Sequence, residues 1–329
     1  MTKVTWASLT SEQQDQLVAA YVAGESIKPT LSHLGIQAKA STIERSIREY
    51  LYYYKRFVGN IFKTVSVPDS LNEPYQDYKI IEADDALVIS DLEIPDQDGY
   101  MLRAALLTAM KYDIKRLIYN GDVLATDQDS LNTWVKDFRG PHEVSYKTAV
   151  DQTRQLMVEY AKWFNEQYFV TGNHDNRIAR KTGGEVYLEM LLADTGVTFS
   201  RYGYMFMKTS RGWIYICHPQ NYSIHAASKL GNDLWATTLS PDKTKCHVVL
   251  GHTHLAQVAW SPDGQQEIVS TGCLRRQAQY KDTNANTHRQ WQKGFLVIKN
   301  GFFYVFTERG TDWQAELEDL YPLLGDRHV

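Results

Sequence analysis

The sequence predicts an α/β protein with a small all-α domain at its N-terminus. From residue 86 onward, short apolar runs such as ALVIS, RLIYN and QYFVTG alternate with helical stretches, which is typical of an α/β fold. Residues 1–63 show only helical periodicity. Between these regions, residues 65–84 contain two prolines and many acids without periodicity. We therefore expect a helical domain over 1–64, a linker over 65–84, the α/β domain over 85–310, and a C-terminal helix and tail over 311–329.

The N-terminal domain is predicted to contain three short helices, each opened by a residue that can cap it. Thr10 with Gln13, and Ser41 with Glu44, have the spacing of a capping box, in which each side chain bonds the other residue's backbone N–H. The predicted helices begin at Thr10, Ser26 and Ser41, and the first two end at Gly24 and Gly35.

The third helix is the basic one. Apolar residues including Ile43 and Ile47 recur along one face, and four polar or basic residues lie at its start and on its other faces: Lys39, Thr42, Arg45 and Arg48. This pattern predicts a helix-turn-helix module whose third helix contacts DNA through those four residues. The alternative is a small bundle that docks on the body or forms a homodimer. The connection GIQAKA, longer than the tight turn of the motif, favours this alternative.

The composition indicates the kind of partner and the cellular compartment of the protein. The formal net charge is −4, but residues 1–63 carry +3, which hints at a polyanionic partner for the N-terminal domain. No apolar run approaches the roughly 20 residues that span a bilayer, and the polar N-terminus lacks the apolar segment of a signal peptide. We expect a cytoplasmic protein without a membrane partner. Cys217, Cys246 and Cys273 form neither a CxxC pair nor an even set, so we expect free thiols in the core.

Polar side chains follow several of the predicted strands. Asp91 follows ALVIS and Asp122 follows RLIYN within one βαβ unit, so parallel pairing brings both carboxylates to the same sheet edge. Four more donors follow later strands: Asn173, His218, His252 and His254. Oxygen and imidazole ligands in this mixture suit Mn²⁺, Fe or Zn²⁺, and their number exceeds what one ion needs. Two ions with a bridging carboxylate are therefore expected.

The order of these motifs resembles the calcineurin-like metallophosphoesterases, whose pattern is D-x-H, GD, GNH-[DE], a lone His, and GHxH. The matching stretches are GD at 121–122, GNHD at 172–175 and GHTH at 251–254, and the resemblance covers roughly residues 86–305. The chain looks most like phage-type members that carry a helix-turn-helix head. The resemblance implies a four-layer αββα sandwich of two mixed β-sheets, and a host-cytoplasm location if the protein is phage-encoded.

The same resemblance implies a role for each matching residue. The first metal would be held by Asp91, Asp122 and His254, and the second by Asp122, Asn173, His218 and His252. The two ions would activate a bridging hydroxide that attacks phosphorus. His174 would assist the leaving group, with Asp175 able to orient its ring. The other histidines are interpreted as solvated or structural residues: His33, His142, His225, His247, His288 and His328.

Glu93 departs from the pattern, because the family has a histidine at this position. As a working ligand it would give the first ion a third anionic ligand, which favours Mn²⁺ or Mg²⁺ over Zn²⁺ or Fe and raises the pKa of bound water. In a second interpretation, Glu93 does not reach the metal and the first site is weak or empty. In a third, the glutamate at this position marks an engineered or degenerate protein. We adopt the first interpretation, with Mn²⁺ favoured.

The substrate is less well defined by the sequence. A long insertion follows Ala125, and Arg177, Arg275 and Arg276 follow the metal motifs closely enough to hold phosphate oxygens. With the basic head, these features favour a phosphodiesterase acting on DNA. Two alternatives stay open: a phosphomonoesterase acting on nucleotides or proteins, and a DNA-binding protein whose metal domain is weakly active or inactive.

Overall fold

A computed structural model describes residues 4–57, 78–125, 145–200, 202–276 and 291–318, with the backbone alone for 52–57. The chain divides into two compact units, residues 1–74 and 75–329. In the described parts of the chain, no helix has both the length and the apolar character needed to cross a membrane.

The first unit contains the three predicted helices, α1 (Ser11–Val22), α2 (Ile27–His33) and α3 (Ala40–Phe57). Their common core consists of Leu17, Ile27, Leu31, Ile43 and Ile47. The capping box at the start of α1 is confirmed, because Thr10 and Gln13 bond each other's backbone N–H. The box predicted at Ser41 is wrong. The carbonyl of Lys39 already accepts from the amides of Thr42 and Ile43, so α3 begins one residue before Ser41.

The second unit is built from twelve described strands and six described α-helices. The strands are β1 (Ile80–Glu82), β2 (Ala86–Ile89), β3 (Arg116–Asn120), β4 (Glu166–Val170), β5 (Thr198–Ser200), β6 (Tyr204–Thr209), β7 (Gly212–Cys217), β8 (His247–Leu250), β9 (Ala256–Trp260), β10 (Glu267–Thr271), β11 (Gly294–Lys299) and β12 (Phe302–Thr307). The helices are α4 (Gly99–Lys111), α5 (Tyr146–Tyr160), α6 (Arg177–Lys181), α7 (Leu188–Leu191), α8 (Asn232–Thr237) and α9 (Trp313–Glu316). A π-helical turn, Ala226–Gly231, leads into α8.

The strands form two mixed six-stranded sheets, with the orders β1-β6-β7-β8-β10-β9 and β12-β11-β2-β3-β4-β5. In the second sheet, β2 to β5 run parallel and β11 joins them antiparallel. In the first sheet, β7, β8 and β10 run parallel. Short apolar strands that pair in parallel need both faces covered, and this is what the packing provides.

Apolar side chains cover both faces of each sheet. Val88, Ile118 and Leu296 of one sheet meet Ile216 and Val249 of the other in a core between the sheets. A second core lies between the β2–β5 sheet and the helices α4 and α5, and a third lies between β8, β10 and the π-helical turn. The predicted αββα sandwich of two mixed sheets is confirmed.

Smaller features of the fold lie at β1, at the β11–β12 turn, at the cysteines and at the C-terminus. Residues 80–82, which the sequence placed in the linker, form β1 beside β6; three residues are too few to show a period. The turn at Asn300-Gly301 joins β11 to β12 with φ of 52° and 74°, as a tight hairpin requires. The three cysteines are free and buried, as predicted. The predicted C-terminal helix is α9, and residues 319–329 of the predicted tail lie outside the described residues.

Candidate metal centre

Five strand ends from both sheets converge on one place. Asp91, Asp122 and Asn173 follow β2, β3 and β4 of one sheet, and His218 and His252 follow β7 and β8 of the other. The sheets meet there through direct contacts: His218 Nε2 lies 3.1 Å from Asp122 Oδ2, and the amide of His252 donates to Asp91 Oδ2 at 2.9 Å. Residues far apart in sequence are thus gathered by the topology.

One group of side chains has the geometry of a metal site. Asp122, His218 and His252 each offer a ligand atom, and these atoms lie within 4.8 Å of one another. Asn173 Oδ1 and His252 Nδ1 are buried without a hydrogen-bond partner. Buried polar atoms normally have hydrogen-bond partners. An amide oxygen and an imidazole nitrogen that lack them, in a group that includes a carboxylate, are suited to bind a divalent ion. We call Asp122, Asn173, His218 and His252 the histidine-rich group.

The tautomer of His218 is set by its second contact. Nδ1 lies 2.8 Å from the carbonyl oxygen of Asn120, which can only accept, so Nδ1 carries a proton and Nε2 is the ring atom that faces Asp122 and could bind a metal. Burial lowers the pKa of His218, but Asp122 and Asp91 outweigh it and raise the pKa to about 10. The carboxylates therefore draw positive charge to this position, which a metal ion also satisfies.

Close approach at this edge depends on three glycines. Each precedes a candidate ligand: Gly121, Gly172 and Gly251. A Cβ on Gly172 would lie 2.2 Å from Asp122 Oδ1, one on Gly121 would lie 2.2 Å from His218 Nδ1, and one on Gly251 would lie 2.2 Å from Ser90 Oγ. A side chain at any of these positions would push a ligand, or the serine that holds one, out of place.

A second group contains Asp91, Glu93 and His254, and we call it the acidic group. His254 Nε2 lies 3.2 Å from Asp91 Oδ1 and 3.2 Å from Glu93 Oε1. Asp91 Oδ2 is held by the Ser90 hydroxyl and by the amide of His252. Asp91 and Glu93 are fully buried, and burial opposes the protonation of His254, yet the two carboxylates raise its pKa well above the usual value.

The backbone at these ligands is unusual. Eight described non-glycine residues have a positive φ, and five of them are candidate ligands: Asp91, Glu93, Asp122, His252 and His254, with φ between 45° and 75°. Left-handed backbone at non-glycine residues is unfavourable and concentrates at functional sites. Glu93 shares this feature with the other four, so its backbone is shaped as a member of the centre.

Glu93 is engaged on its other oxygen by Arg275. Nη1 of Arg275 contacts Glu93 Oε2, and Nη2 lies 3.0 Å from Asp96 Oδ2. Burial disfavours the ionised form of Glu93, but Arg275 and the nearby histidines offset this, so its pKa lies below the usual value. The sequence suggested Arg275 as a holder of substrate phosphate. Its place differs from that expectation, since both Nη atoms face carboxylates of the protein and only 4% of the residue is exposed.

His174 stands at the open side of the centre. Its amide donates to Asp122 Oδ1 at 2.8 Å, and its ring atoms Nδ1 and Nε2 each lie 3.9 Å from a carboxylate oxygen, of Glu93 and Asp122 respectively. The side chain is 14% exposed, more than Asp122 or Glu93 at 2% each. The ring is therefore within reach of a bound substrate.

Asp175 has a different place from the one expected. Its Oδ1 accepts from the amide of Leu124 at 3.0 Å and its Oδ2 from the amide of Gly172 at 2.8 Å. It ties the β3 and β4 loops together instead of orienting the His174 ring. Burial and the charge of Asp122 raise the pKa of Asp175 to about 7.

Two clefts adjoin the centre. One, of about 600 Å³, is lined by residues that include Arg275, Trp291, Lys293 and Arg309. It lies beside the acidic group, because the ring centroids of Trp291 and His254 are 4.5 Å apart. The other, of about 720 Å³, is lined in part by Thr171 and Asn176, which flank residues 172–175 in the chain. Tyr187, Phe199 and Tyr202 form much of its wall.

The remaining predicted site residues lie as follows. Arg177 begins α6 and is half-buried, and Arg276 is exposed. In the first unit, the four predicted DNA contacts are all exposed: Lys39, Thr42, Arg45 and Arg48. Most of the insertion after Ala125, residues 126–144, lies outside the described residues. Of the histidines interpreted as structural or solvated, His33 and His225 are exposed and His247 is buried; the others are not among the described residues.

Solved structures with a similar architecture include three proteins. YfcE, a phosphoesterase from E. coli, matches with a TM-score of 0.36 and 14% identity over 66% of this chain and 88% of its own. Vps29 from Chaetomium thermophilum matches with a TM-score of 0.38 and 15% identity over 69% and 93%. The Pseudomonas putida nuclease MPE matches with a TM-score of 0.27 and 13% identity over 67% and 87%. No protein-family model and no curated protein sequence matches the chain. Similarities this distant assign no activity.

Proposed function

We propose that the chain is a phosphoesterase that requires two divalent metal ions and hydrolyses phosphodiester bonds, with DNA as its substrate. One observation carries this proposal: seven side chains of metal-ligand type meet at the strand ends of both sheets, in two adjacent groups. The histidine-rich group would hold one ion and the acidic group the other. Asp122, whose Oδ2 faces His218, is the candidate bridge.

Divalent ions held by these residues would supply Lewis acidity toward the phosphoryl oxygens and would lower the pKa of a coordinated water. The chain's own contribution is position and proton transfer. The amide of His174 is anchored on Asp122, which fixes the ring beside the two groups. From there its imidazole can donate a proton to the departing oxygen, a role that commonly contributes about 10²- to 10⁴-fold to rate.

The two clefts favour a diester over a monoester. A diester carries a substituent on both sides of the scissile phosphate, and a monoester carries one. The first cleft lies beside His254 through Trp291, and the second is lined by Thr171 and Asn176 on either side of residues 172–175, so we expect each cleft to take one substituent. Trp291 in the first cleft and the tyrosines in the second offer faces on which bases can stack. Arg177 and Arg276 are our candidates for direct phosphate contacts.

The N-terminal unit supports DNA as the substrate class. Its third helix buries Ile43 and Ile47 and exposes Thr42, Arg45 and Arg48, with Lys39 exposed just before it. A helix that is held by an apolar face and presents a basic one is suited to contact a nucleic acid. The unit would bring the substrate to the metal domain.

The test compares a model diester, a model monoester and a DNA oligonucleotide, each with Mn²⁺, Mg²⁺ and Zn²⁺. We expect the diester and the oligonucleotide to be cleaved faster than the monoester, with Mn²⁺ most effective. His174→Ala should lose at least about 100-fold in rate, whereas His225→Ala, which removes an exposed histidine, should match the wild type. Faster turnover of the monoester would support the phosphatase alternative. Metal and DNA binding without any turnover would support the binding-protein alternative.

A further inference from the structure

We propose that Arg275 is a positioning residue that, with Glu93, forms a single charge-neutral oxygen ligand for the acidic group. This inference rests on the metal centre of the proposed function. Glu93 Oε2 is taken by Arg275, whereas Glu93 Oε1 faces His254, 3.2 Å away, on the side where a metal would bind. One oxygen is thus left for a cation, and the charge of the carboxylate is matched by a guanidinium.

The pairing is fixed by the backbone. Residues 273–276 run directly beside the loop that carries Asp91 and Glu93. The amide of Leu274 donates to the Ser90 carbonyl, and the amides of Asp98 and Arg276 bond the carbonyls of Leu274 and Asp96. These bonds, with an isolated antiparallel bridge between Gln97 and Arg275, hold the backbone of Arg275 beside the loop, and its guanidinium contacts Glu93.

Asp96 also contacts Arg275, but from an exposed position. Its side chain is 37% exposed, whereas those of Glu93 and Arg275 are 2% and 5% exposed. Water screens the exposed carboxylate far more strongly than the buried one. The buried part of the network is therefore a neutral Glu93–Arg275 pair, and Asp96 mainly orients the guanidinium from outside.

This changes the charge of the acidic group. With Glu93 counted alone, the first ion would meet three anionic ligands. With Arg275 included, it meets Asp91, the shared Asp122 and a neutral pair. The ligands then carry the same total charge as they would with a neutral histidine at position 93. Histidine is the residue at this position in the family pattern that the sequence resembles. Glu93 and Arg275 together thus replace one histidine.

The two residues must then depend on each other. Replacing Glu93 with histidine while Arg275 remains leaves a guanidinium beside the metal position without its buried carboxylate, and it repels a cation. Removing Arg275 in the same chain relieves that repulsion. In a double-mutant cycle, the effects of substitutions at Glu93 and Arg275 on metal affinity should therefore be strongly non-additive. The effects of substituting Glu93 and a distant cation should be additive.

The experiment measures Mn²⁺ binding to the metal-free full-length protein by calorimetry, with activity recorded separately. We expect two ions per wild-type chain. Glu93→His should weaken one of them at least tenfold, and the double variant Glu93→His/Arg275→Met should recover it to within about threefold of the wild type. Lys299→Met is the matched control: Lys299 pairs with Asp85 at 2.8 Å, at the opposite end of β2, and its loss should leave both ions bound.

Arg275→Lys keeps the cation and guards against a failure of the Met variant to fold. It should bind both ions with affinities within about threefold of the wild type. The inference is overturned if Glu93→His binds two ions as tightly as the wild type, or if removing Arg275 from that variant brings no recovery. A wild-type chain that binds no metal would instead refute the proposed function itself.

Discussion

Asp122 and His174 are joined by a hydrogen bond of 2.8 Å, from the amide of His174 to Asp122 Oδ1. The other oxygen of Asp122 lies 3.1 Å from His218 Nε2. The candidate bridging ligand and the candidate proton donor are therefore positioned by one contact between the β3 and β4 loops. Loss of the Asp122 side chain should therefore release the backbone of His174, whereas a substitution of the His174 side chain keeps the donating amide.

Asp122→Asn tests Asp122 as a metal ligand with little change in shape. The amide oxygen can still accept from His174, but the charge that attracts a cation is gone. We expect metal affinity to fall by at least about 100-fold, since even partners outside the ligand shell contribute 10- to 100-fold. Calorimetric Mn²⁺ titration measures the loss. Unchanged affinity would show that Asp122 is not a ligand.

Gly172→Ala tests the close approach of the two loops. The added Cβ would lie 2.2 Å from Asp122 Oδ1 and 2.3 Å from its backbone nitrogen, so the loops must move apart. Overpacking of this kind typically destabilises by about 1–3 kcal/mol. We expect a lower free energy of unfolding in urea together with weakened Mn²⁺ binding.

Gly99→Ala is the control for that substitution. Gly99 is the first residue of α4, behind the cap Asp98, and no atom lies within 4 Å of a Cβ placed on it. Alanine there should be neutral or slightly stabilising. If both alanine variants behave alike, the tight packing at Gly172 has no functional consequence.

Much of the metal centre could be predicted from the sequence, because its ligands follow strand ends in motifs whose spacing is local. Gly121, Gly172 and Gly251 are an example, because each directly precedes a candidate ligand at a strand end. A Cβ at any of them would lie 2.2 Å from a neighbouring side-chain atom, so no side chain fits there. The fold followed from the same alternation of short apolar runs and helices, with the sandwich itself implied by the resemblance.

Arg275 could not be placed in this way. It lies 182 positions from Glu93 in the chain, and only the backbone pairing of 273–276 with the Glu93 loop brings them together. The contacts of Asp175 were not foreseen for a related reason. The sequence shows that it follows His174, but not that its two oxygens accept from the amides of Leu124 and Gly172. β1 was missed because three residues carry no periodic signal.

His247 should make the metal-free protein less stable as pH falls. Its ring is 8% exposed, its Nδ1 accepts from the amide of Glu267, and burial with Arg211 nearby lowers its pKa to about 4. An unfolded histidine titrates near 6.5. Between these values the unfolded chain binds more protons, so stability is full above about pH 6.5 and declines toward pH 4.

The upper limit of this effect is about 3 kcal/mol, because each tenfold difference in proton affinity between the folded and unfolded chains corresponds to about 1.36 kcal/mol. His247→Asn keeps an acceptor for the Glu267 amide and removes the titration. Urea unfolding at pH 7.5 and pH 5.0 should show a smaller loss of stability in this variant than in the wild type. His225→Asn, at an exposed position, should lose as much as the wild type. If the free energy of unfolding falls equally in all three proteins between pH 7.5 and pH 5.0, His247 is not the cause of the pH dependence.

The DNA contacts of the N-terminal unit can be tested by their salt dependence. Arg45 and Arg48 are exposed one turn apart on α3, whose opposite face is buried through Ile43 and Ile47. If each arginine neutralises one phosphate, Arg45→Ala/Arg48→Ala should reduce the slope of log affinity against log salt by about 2.

Lys28→Ala is the matched control, because it removes an exposed cation from α2 instead of α3. It should keep the wild-type slope, and circular dichroism should show all three proteins equally helical. Hydrolysis of a small model diester should be unchanged in the arginine variant, since the substitutions lie in the other unit. An unchanged DNA affinity combined with a shift from dimer to monomer would instead identify the N-terminal unit as a bundle that pairs two chains.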